Sequence, residues 1–402
     1  SPLKIAHIIH TFPPAVYGGG EAFAYQLSKK LVEKGHEVHI VTRGFKGLAE
    51  SEKLDGLFVH RYSNPAPERW KYHPIAKSKV PWYGKYLAIA LDIPKSVKTI
   101  ERIQKEFGLD ILHASFILPA GFSGVLAKKP TNLPLVITVH GNADFYEVPW
   151  ILRSILGYTL RRGDEVIAVG DELRENLMKE FSGLKIQVIP NGIEINKFAP
   201  ATQEREETRS RYKIESEDPV VLSVSRLVGR KNLDVLLTSA PQILKKLPTC
   251  KFLICGEGPE EEKLQKLASD LNLSSSVIFT GFISEAEKIR LYTASDVFIQ
   301  LSSREGLSVS LLESKAAGIP AVVADFRGTR EPVTDGESGI VIKGELNPAK
   351  VAETILTILS NRELLSQMGH NAKKEAEAKY SIETMAKRYV AVYEKVISQK
   401  VV

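Results

Sequence analysis

Short apolar runs alternate with helix-patterned stretches along the whole chain, and the alternation starts twice. The first series comprises Lys4–Thr11, Glu37–Thr42, Leu57–Tyr62, Asp110–Phe116, Leu135–His140, Glu165–Val169 and Ile186–Ile189. Pro190-Asn191-Gly192 interrupts it. The second series is Val220–Ser225, Lys251–Cys255, Ser276–Thr280, Asp296–Leu301, Pro320–Ala324 and Gly339–Ile342. Parallel strands need a crossover, usually a helix, and a sheet covered on both faces reads as nearly continuous apolar runs. The pattern therefore predicts an α/β fold of two tandem Rossmann-like domains that face each other across a cleft. The expected boundaries are 1–192 and 193–380, with a closing helical stretch over 381–402. The polar stretch Asn196–Glu217 reads as the connection between the domains.

In such sheets, ligands bind beyond the carboxyl ends of the strands. The most informative residues there are Glu305 and Glu313, in Ser303-Arg-Glu-Gly-Leu-Ser-Val-Ser-Leu-Leu-Glu313. They fall on a strand-to-helix turn and in the helix after it, which Gly318 and Pro320 end. Amides of Gly306, Leu307 and Ser308 are placed to meet an anion at a helix N-terminus. A carboxylate at Glu313 suits a ribose diol. Taken singly, the pair reads first as an ordinary helix-end acid and helix-surface acid. Other strand ends carry matching pieces. Arg226 and Lys231, in Ser225-Arg-Leu-Val-Gly-Arg-Lys231, offer a bidentate fork and a compact charge for a diphosphate. Gly256-Glu257-Gly258 makes a tight turn, and its backbone would reach a nucleobase. Gly18-Gly19-Gly20 precedes the first helix and permits close backbone approach to phosphate. It is not G-x-G-x-x-G, which disfavours a nicotinamide or flavin. His140, ending its strand before Gly141-Asn142, is placed to touch a substrate hydroxyl.

Charge is unevenly spread. Residues 1–190 carry 25 Lys+Arg against 19 Asp+Glu, and the remainder carries 29 of each, so the whole excess of +6 lies in the first half. An anionic partner is expected there. Arg69, Trp70, Lys71, Lys77, Lys79, Trp82 and Lys85 interleave basic and aromatic residues. Such a segment suits an anionic membrane surface or a phosphorylated acceptor, and it suits a solvated loop equally. It matches no nucleic-acid module, so no nucleic-acid partner is expected. Cys250 and Cys255 point to opposite faces of one strand, which predicts reduced core thiols and a cytoplasmic setting; the basic and aromatic segment adds the option of peripheral contact at the inner face of the cell membrane. Ser1–His10 reads as a first strand, and no apolar run reaches the length of a membrane span.

Together these residues resemble family 4 glycosyltransferases, the retaining family with the GT-B fold. The likeness runs in the family's order: Gly18–Glu21 through Gly35–Thr42, His140, Pro190-Asn-Gly192, Ser225-Arg-Leu with Lys231, Gly256-Glu-Gly-Pro259, Glu305 with Glu313, and Gly328-Thr-Arg-Glu331-Pro with Asp335-Gly and Gly339. Leu301, Ser225 and Glu194 depart from the pattern without removing a charged group. The resemblance implies transfer from a nucleoside-diphosphate sugar, a UDP-sugar before a GDP-sugar, to a lipid-linked, phosphorylated or carbohydrate acceptor. It implies that Arg226 and Lys231 neutralise the diphosphate, Glu313 holds the ribose, Glu305 holds the donor sugar and His140 contacts it. It also implies that the last helix crosses back to the first domain. Fixed cations and amides would stabilise the leaving diphosphate. The sequence has no Asp-x-Asp triplet, so neither a metal nor any other cofactor is expected. A sugar-nucleotide epimerase of the same fold and a non-catalytic sugar-nucleotide binder remain the alternatives.

Overall fold

The structure, a computed structural model, describes residues 2–14, 19–63, 82–141, 149–198, 202–303, 305 and 307–400, with residues 82–86, 202 and 327 described by backbone alone. The chain divides into two compact units. Unit 1 holds residues 1–192 and 382–402, and unit 2 holds residues 193–381.

Unit 1 is built on β1 (Lys4–Ile8), β2 (Glu37–Arg43), β3 (Ser51–Leu54), β4 (Leu57–Tyr62), β5 (Ile111–Ser115), β6 (Leu135–Val139), β7 (Glu165–Ala168) and β8 (Ile186–Val188). Their order across the sheet is β3-β4-β2-β1-β5-β6-β7-β8, and every pair is parallel except β3 with β4. The strand β3 escaped the sequence reading. It is a polar, mostly exposed edge strand without apolar alternation. Its turn, Asp55-Gly56 with positive φ at both residues, is the stronger hairpin signal. The first crossover helix, Gly19–Glu33, buries Phe23, Ala24, Leu27 and Leu31 at helical spacing. It ends at Gly35, whose φ of +90° lets its N–H reach the Val32 carbonyl at 2.9 Å.

The last helix, Ile382–Lys400, belongs to unit 1 and buries Ile382, Met385, Tyr389, Val392, Tyr393 and Val396 in the same core as β1 and β2. Its two tyrosines join a buried polar chain. The Tyr393 hydroxyl lies 2.8 Å from Nδ1 of His113, whose Nε2 lies 2.8 Å from the Thr138 hydroxyl; Tyr389 lies 3.1 Å from that hydroxyl. His7 stacks on His113 with ring centroids 4.3 Å apart and meets the Ser28 and Ser115 hydroxyls, both at 2.9 Å. A neutral imidazole satisfies two hydroxyl partners by donating to one and accepting from the other.

Burial holds the His7 pKa down at about 3 and lowers that of His113 well below its usual value. The unfolded chain therefore binds protons that the folded one refuses. Stability is full above pH ~6.5 and falls as pH drops toward 3, by about 1.4 kcal/mol per pH unit for His7 alone. Denaturant unfolding should show unit 1 about 2 kcal/mol less stable at pH 5 than at pH 7 from His7, with His113 acting in the same direction. His7→Gln should shallow the slope; an unchanged slope would refute the assignment.

Unit 2 is a six-stranded, fully parallel sheet of β9 (Val220–Val224), β10 (Lys251–Cys255), β11 (Val277–Gly281), β12 (Val297–Gln300), β13 (Ala321–Ala324) and β14 (Gly339–Ile342). The order is β11-β10-β9-β12-β13-β14. Cys250 and Cys255 are buried and unbridged, and burial pushes both thiols up to about 12, so neither is a thiolate near neutrality.

The reading of Asn196–Glu217 as a connection needs correction. Residues Thr202–Arg211 form a helix within unit 2. Its Arg209 is 2% exposed and donates to the carbonyls of Ala294, Glu215, Ser216 and Asp218 and to Asp296. Arg205 donates to the Thr293 and Ser295 carbonyls and pairs with Asp296 at 2.6 Å. The segment is polar because its charges satisfy buried backbone groups, a use that composition does not distinguish from a solvated linker.

Candidate active site

The chain order of unit 2 runs outward from β9 through β10 to β11, then returns to place β12 on the other side of β9. The reversal falls between β9 and β12, and it is beyond the carboxyl ends of the strands at such a switch point that open α/β sheets take ligands. Segments following both strands meet there. After β9, the short helical turn Gly229–Lys231 is tied to the loop after β12: Ser303 N–H donates to the Arg230 carbonyl at 2.9 Å, and the Asn232 side-chain amide donates to the Leu301 carbonyl at 2.7 Å. Asn232 has φ +51°, a conformation that asparagine tolerates better than most residues. This stapling brings the Lys231 ammonium onto the Glu305 carboxylate as an ion pair, with both side chains largely shielded. Arg226 stands exposed on the same loop and makes no ion pair among the described residues.

Beside it, the turn after β10 lies directly on the turn after β9. Ser225 N–H donates to the Cys255 carbonyl at 3.0 Å, Leu227 N–H to the Glu257 carbonyl at 2.9 Å, and Glu260 N–H to the Leu227 carbonyl at 3.0 Å. A Cβ at Gly256 would lie 1.9 Å from the Ser225 carbonyl oxygen, and one at Gly258 would lie 2.2 Å from that of Leu227. Glycine is thus required at both positions by backbone contact, whatever ligand approaches. The Glu257 carbonyl is engaged within this turn pair, and the Gly256 N–H donates to the carbonyl of Gly281 at the end of the next strand, at 3.0 Å.

Helix Val309–Ala316 follows the loop after β12. Ser308 caps it, its hydroxyl accepting from Leu311 N–H at 3.4 Å. Leu307 is buried, and Gly306 lies outside the described residues. Glu313 is 3% exposed. Burial pushes its carboxyl above the usual range, while Lys288 pulls the other way with its ammonium 2.6 Å from Oε1. The Tyr292 hydroxyl lies 3.0 Å from Oε2. Burial alone would lower the Lys288 pKa, but Glu313 and Glu285 together raise it, so the ammonium stays charged. Two positions further on, Lys315 is fully buried and bonds Glu375, the Pro332 carbonyl and Ser338, fastening this helix to the loop that contains Asp335. Lys288, Tyr292, Lys315 and Glu375 were all missed from sequence. The i, i+4 spacing of Lys288 and Tyr292 was a readable signal.

The remaining candidates lie in unit 1. Gly19 and Gly20 open the first helix, and a Cβ at Gly20 would meet the Phe116 ring at 2.3 Å, so packing accounts for that glycine. Gly18 lies outside the described residues. His140 follows β6 and packs edge-on to Phe23 at 4.7 Å and tilted to Phe116 at 4.9 Å. Its burial holds the pKa down at about 3, so it is a neutral imidazole near pH 7. Arg69, Trp70, Lys71, Lys77 and Lys79 lie outside the described residues, as do the side chains of Trp82 and Lys85. Among the described residues no helix is long and apolar enough to cross a membrane.

Two family models match the chain. The one described as Glycosyltransferase Family 4 covers residues 17–197, and the one described as Glycosyl transferases group 1 covers residues 204–375. An uncharacterised glycosyltransferase of Methanocaldococcus jannaschii is 26% identical over 97% of this chain and 98% of its own length. A GDP-mannose-dependent α-(1-6)-phosphatidylinositol monomannoside mannosyltransferase of Mycobacterium tuberculosis is 30% identical over 71% of this chain and 76% of its own. The solved sucrose-phosphate synthase of Thermosynechococcus elongatus superposes with a TM-score of 0.82 at 21% identity, covering 99% of this chain and 100% of that one. The chain therefore belongs to glycosyltransferase family 4, and it is a glycosyltransferase with the GT-B fold.

Proposed function

We propose that the chain transfers a hexose, with retention at the anomeric carbon, from a nucleoside-diphosphate sugar bound at the carboxyl ends of β9 and β12 to a lipid-linked acceptor. The observation that carries this reading is the Lys231–Glu305 ion pair at the topological switch point, with Arg226 exposed on the loop that carries Lys231. Arg226 and Lys231 receive the diphosphate. Glu305, freed as the diphosphate competes for Lys231, accepts from donor-sugar hydroxyls. Glu313 accepts from the ribose diol. In the reaction, the bond between the anomeric carbon and the leaving phosphate oxygen breaks as the acceptor oxygen attacks from the same face. That phosphate oxygen takes the acceptor's proton. The cations stabilise negative charge as it grows on the diphosphate, which is where fixed charges lower a barrier most. For neutral His140 we propose a contact with the transferred sugar.

The sequence favoured a UDP-sugar, but no motif supported the base. The mycobacterial relative is named for GDP-mannose and for a phosphatidylinositol acceptor, which moves the preference to a GDP-hexose and supports a lipid-linked acceptor. Thermal unfolding with UDP, GDP, ADP and their common sugars tests the donor. A nucleotide at about 100 times its Kd should stabilise the protein by about 2.7 kcal/mol. The shift, and transfer activity with the matching sugar, should survive EDTA. No shift with any of them would overturn the donor assignment.

A further inference from the structure

The carboxylate of Glu313 is gripped at two separate points from one neighbouring helix. Helix Glu285–Ala294 carries Lys288 and Tyr292 one turn apart, and side chains at this spacing share a face. Lys288 takes Oε1 at 2.6 Å and Tyr292 reaches Oε2 at 3.0 Å. One contact would leave the carboxylate free to turn about its last bond; two contacts to different oxygens fix its plane. Both supports are themselves held. Lys288 also pairs with Glu285 at 2.9 Å. The Tyr292 hydroxyl lies 2.9 Å from the Ser310 carbonyl, and its ring packs between Phe198 and Phe298. Tyr292 is fully buried, so this hold is not a surface pairing. A carboxylate has about four lone-pair sites, and the clamp engages one on each oxygen. The others remain to accept from a ligand's hydroxyls.

We propose that Lys288 and Tyr292 are positioning residues that aim Glu313 at the ribose diol of the donor nucleotide and so set its preference for ribonucleotides. The inference rests on the donor-site reading of Glu313. A carboxylate that must accept two hydroxyl protons at once needs its plane fixed before the ligand arrives, because a 1 Å misplacement is costly. The ammonium also supplies the charge that lets a buried carboxylate remain an acceptor.

The test is titration calorimetry of the full chain with UDP, 2′-deoxy-UDP, GDP and 2′-deoxy-GDP. The wild type should bind its ribonucleotide on the order of ten- to a hundredfold more tightly than the deoxy analogue, as a charged hydrogen bond predicts. Lys288→Met should shrink that ratio to within about threefold, weakening the ribonucleotide more than the deoxy form, which keeps one of the two hydroxyls, and Lys288→Arg should retain most of it. Tyr292→Phe, which keeps the buried ring, should reduce the ratio in the same direction and serves if the lysine variant folds poorly. A general loosening of the fold would weaken both nucleotides equally and leave the ratio intact, and that result would overturn the proposal. Glu313→Gln separates the two levels. If it abolishes the ratio and Lys288→Met and Tyr292→Phe do not, the clamp is wrong and the donor site stands. If the wild type shows no ratio, the ribose reading of Glu313 falls and the clamp falls with it.

Discussion

Arg226→Ala and Lys231→Ala should each lower kcat/KM for the donor by about a hundred- to a thousandfold, the usual cost of removing one fixed group aimed at developing charge. The two losses should differ in kind. Arg226 is exposed and makes no ion pair among the described residues, so its removal takes away a fork and leaves nothing stranded. Lys231 is paired with Glu305. Its removal leaves a shielded carboxylate facing an incoming diphosphate, so repulsion adds to the lost attraction. Lys231→Ala should therefore raise the donor KM more than Arg226→Ala does. Adding Glu305→Gln to Lys231→Ala should recover part of the lost affinity, while adding it to Arg226→Ala should recover none. A double-mutant cycle on steady-state kinetics measures this coupling. Near-wild-type activity in both single variants would sink the diphosphate assignment. Arg226→Lys should restore charge without the planar fork and recover only part of kcat/KM.

The parts of this molecule that were legible in its sequence are those where one strand or one turn decides the outcome. Parallel strands covered on both faces announce themselves as apolar runs, so β1, β2, β10 and β12 fell close to where they were expected. The segments that follow β9 and β12, bearing Arg226, Lys231, Glu305 and Glu313, came to one edge as expected, because topology alone brings successive strand ends there. The sequence could not show which of these groups touch. The Lys231–Glu305 pair spans 74 positions and depends on two staples, Ser303 to Arg230 and Asn232 to Leu301, that use backbone carbonyls. Nor could it show that Lys288 belongs to Glu313, since a lysine on an amphipathic helix usually reaches solvent. Local composition misled in two places. Edge strand β3 is polar because both its faces meet water, and helix Thr202–Arg211 is polar because its arginines serve buried carbonyls. Both are cases where the environment, absent from a local window, determines what a charged residue means. Tyr389 and Tyr393 are a third, since nothing near them in sequence indicates that their hydroxyls complete a histidine chain begun at β1.

Asp92→Ala should cost unit 1 about 3–5 kcal/mol of stability, the largest loss expected of any single substitution outside the site. Asp92 is fully buried and Arg43 is 1% exposed, so water screens neither charge. The Arg43 Nε donates to Asp92 Oδ1 at 3.1 Å and Oδ2 at 2.9 Å, and the Nη2 joins the same carboxylate. His10 Nδ1 lies 3.3 Å from it as well. The pair fastens helix Trp82–Phe107, which carries Asp92, to the end of β2, which carries Arg43. Removing the carboxylate leaves a guanidinium that cannot shed its proton and has no water to receive it. In a unit of about 200 residues, such a loss lowers the thermal midpoint by roughly 10 °C. The cost is that of an abandoned charge and not the worth of the pair, and a second variant separates the two. Asp92→Leu combined with Arg43→Met removes both charges and keeps apolar volume, so it should be markedly more stable than Asp92→Ala. Calorimetry on the three proteins decides the matter. If the double variant is as unstable as the single one, the ion pair itself, and not the stranded arginine, holds the helix to the sheet.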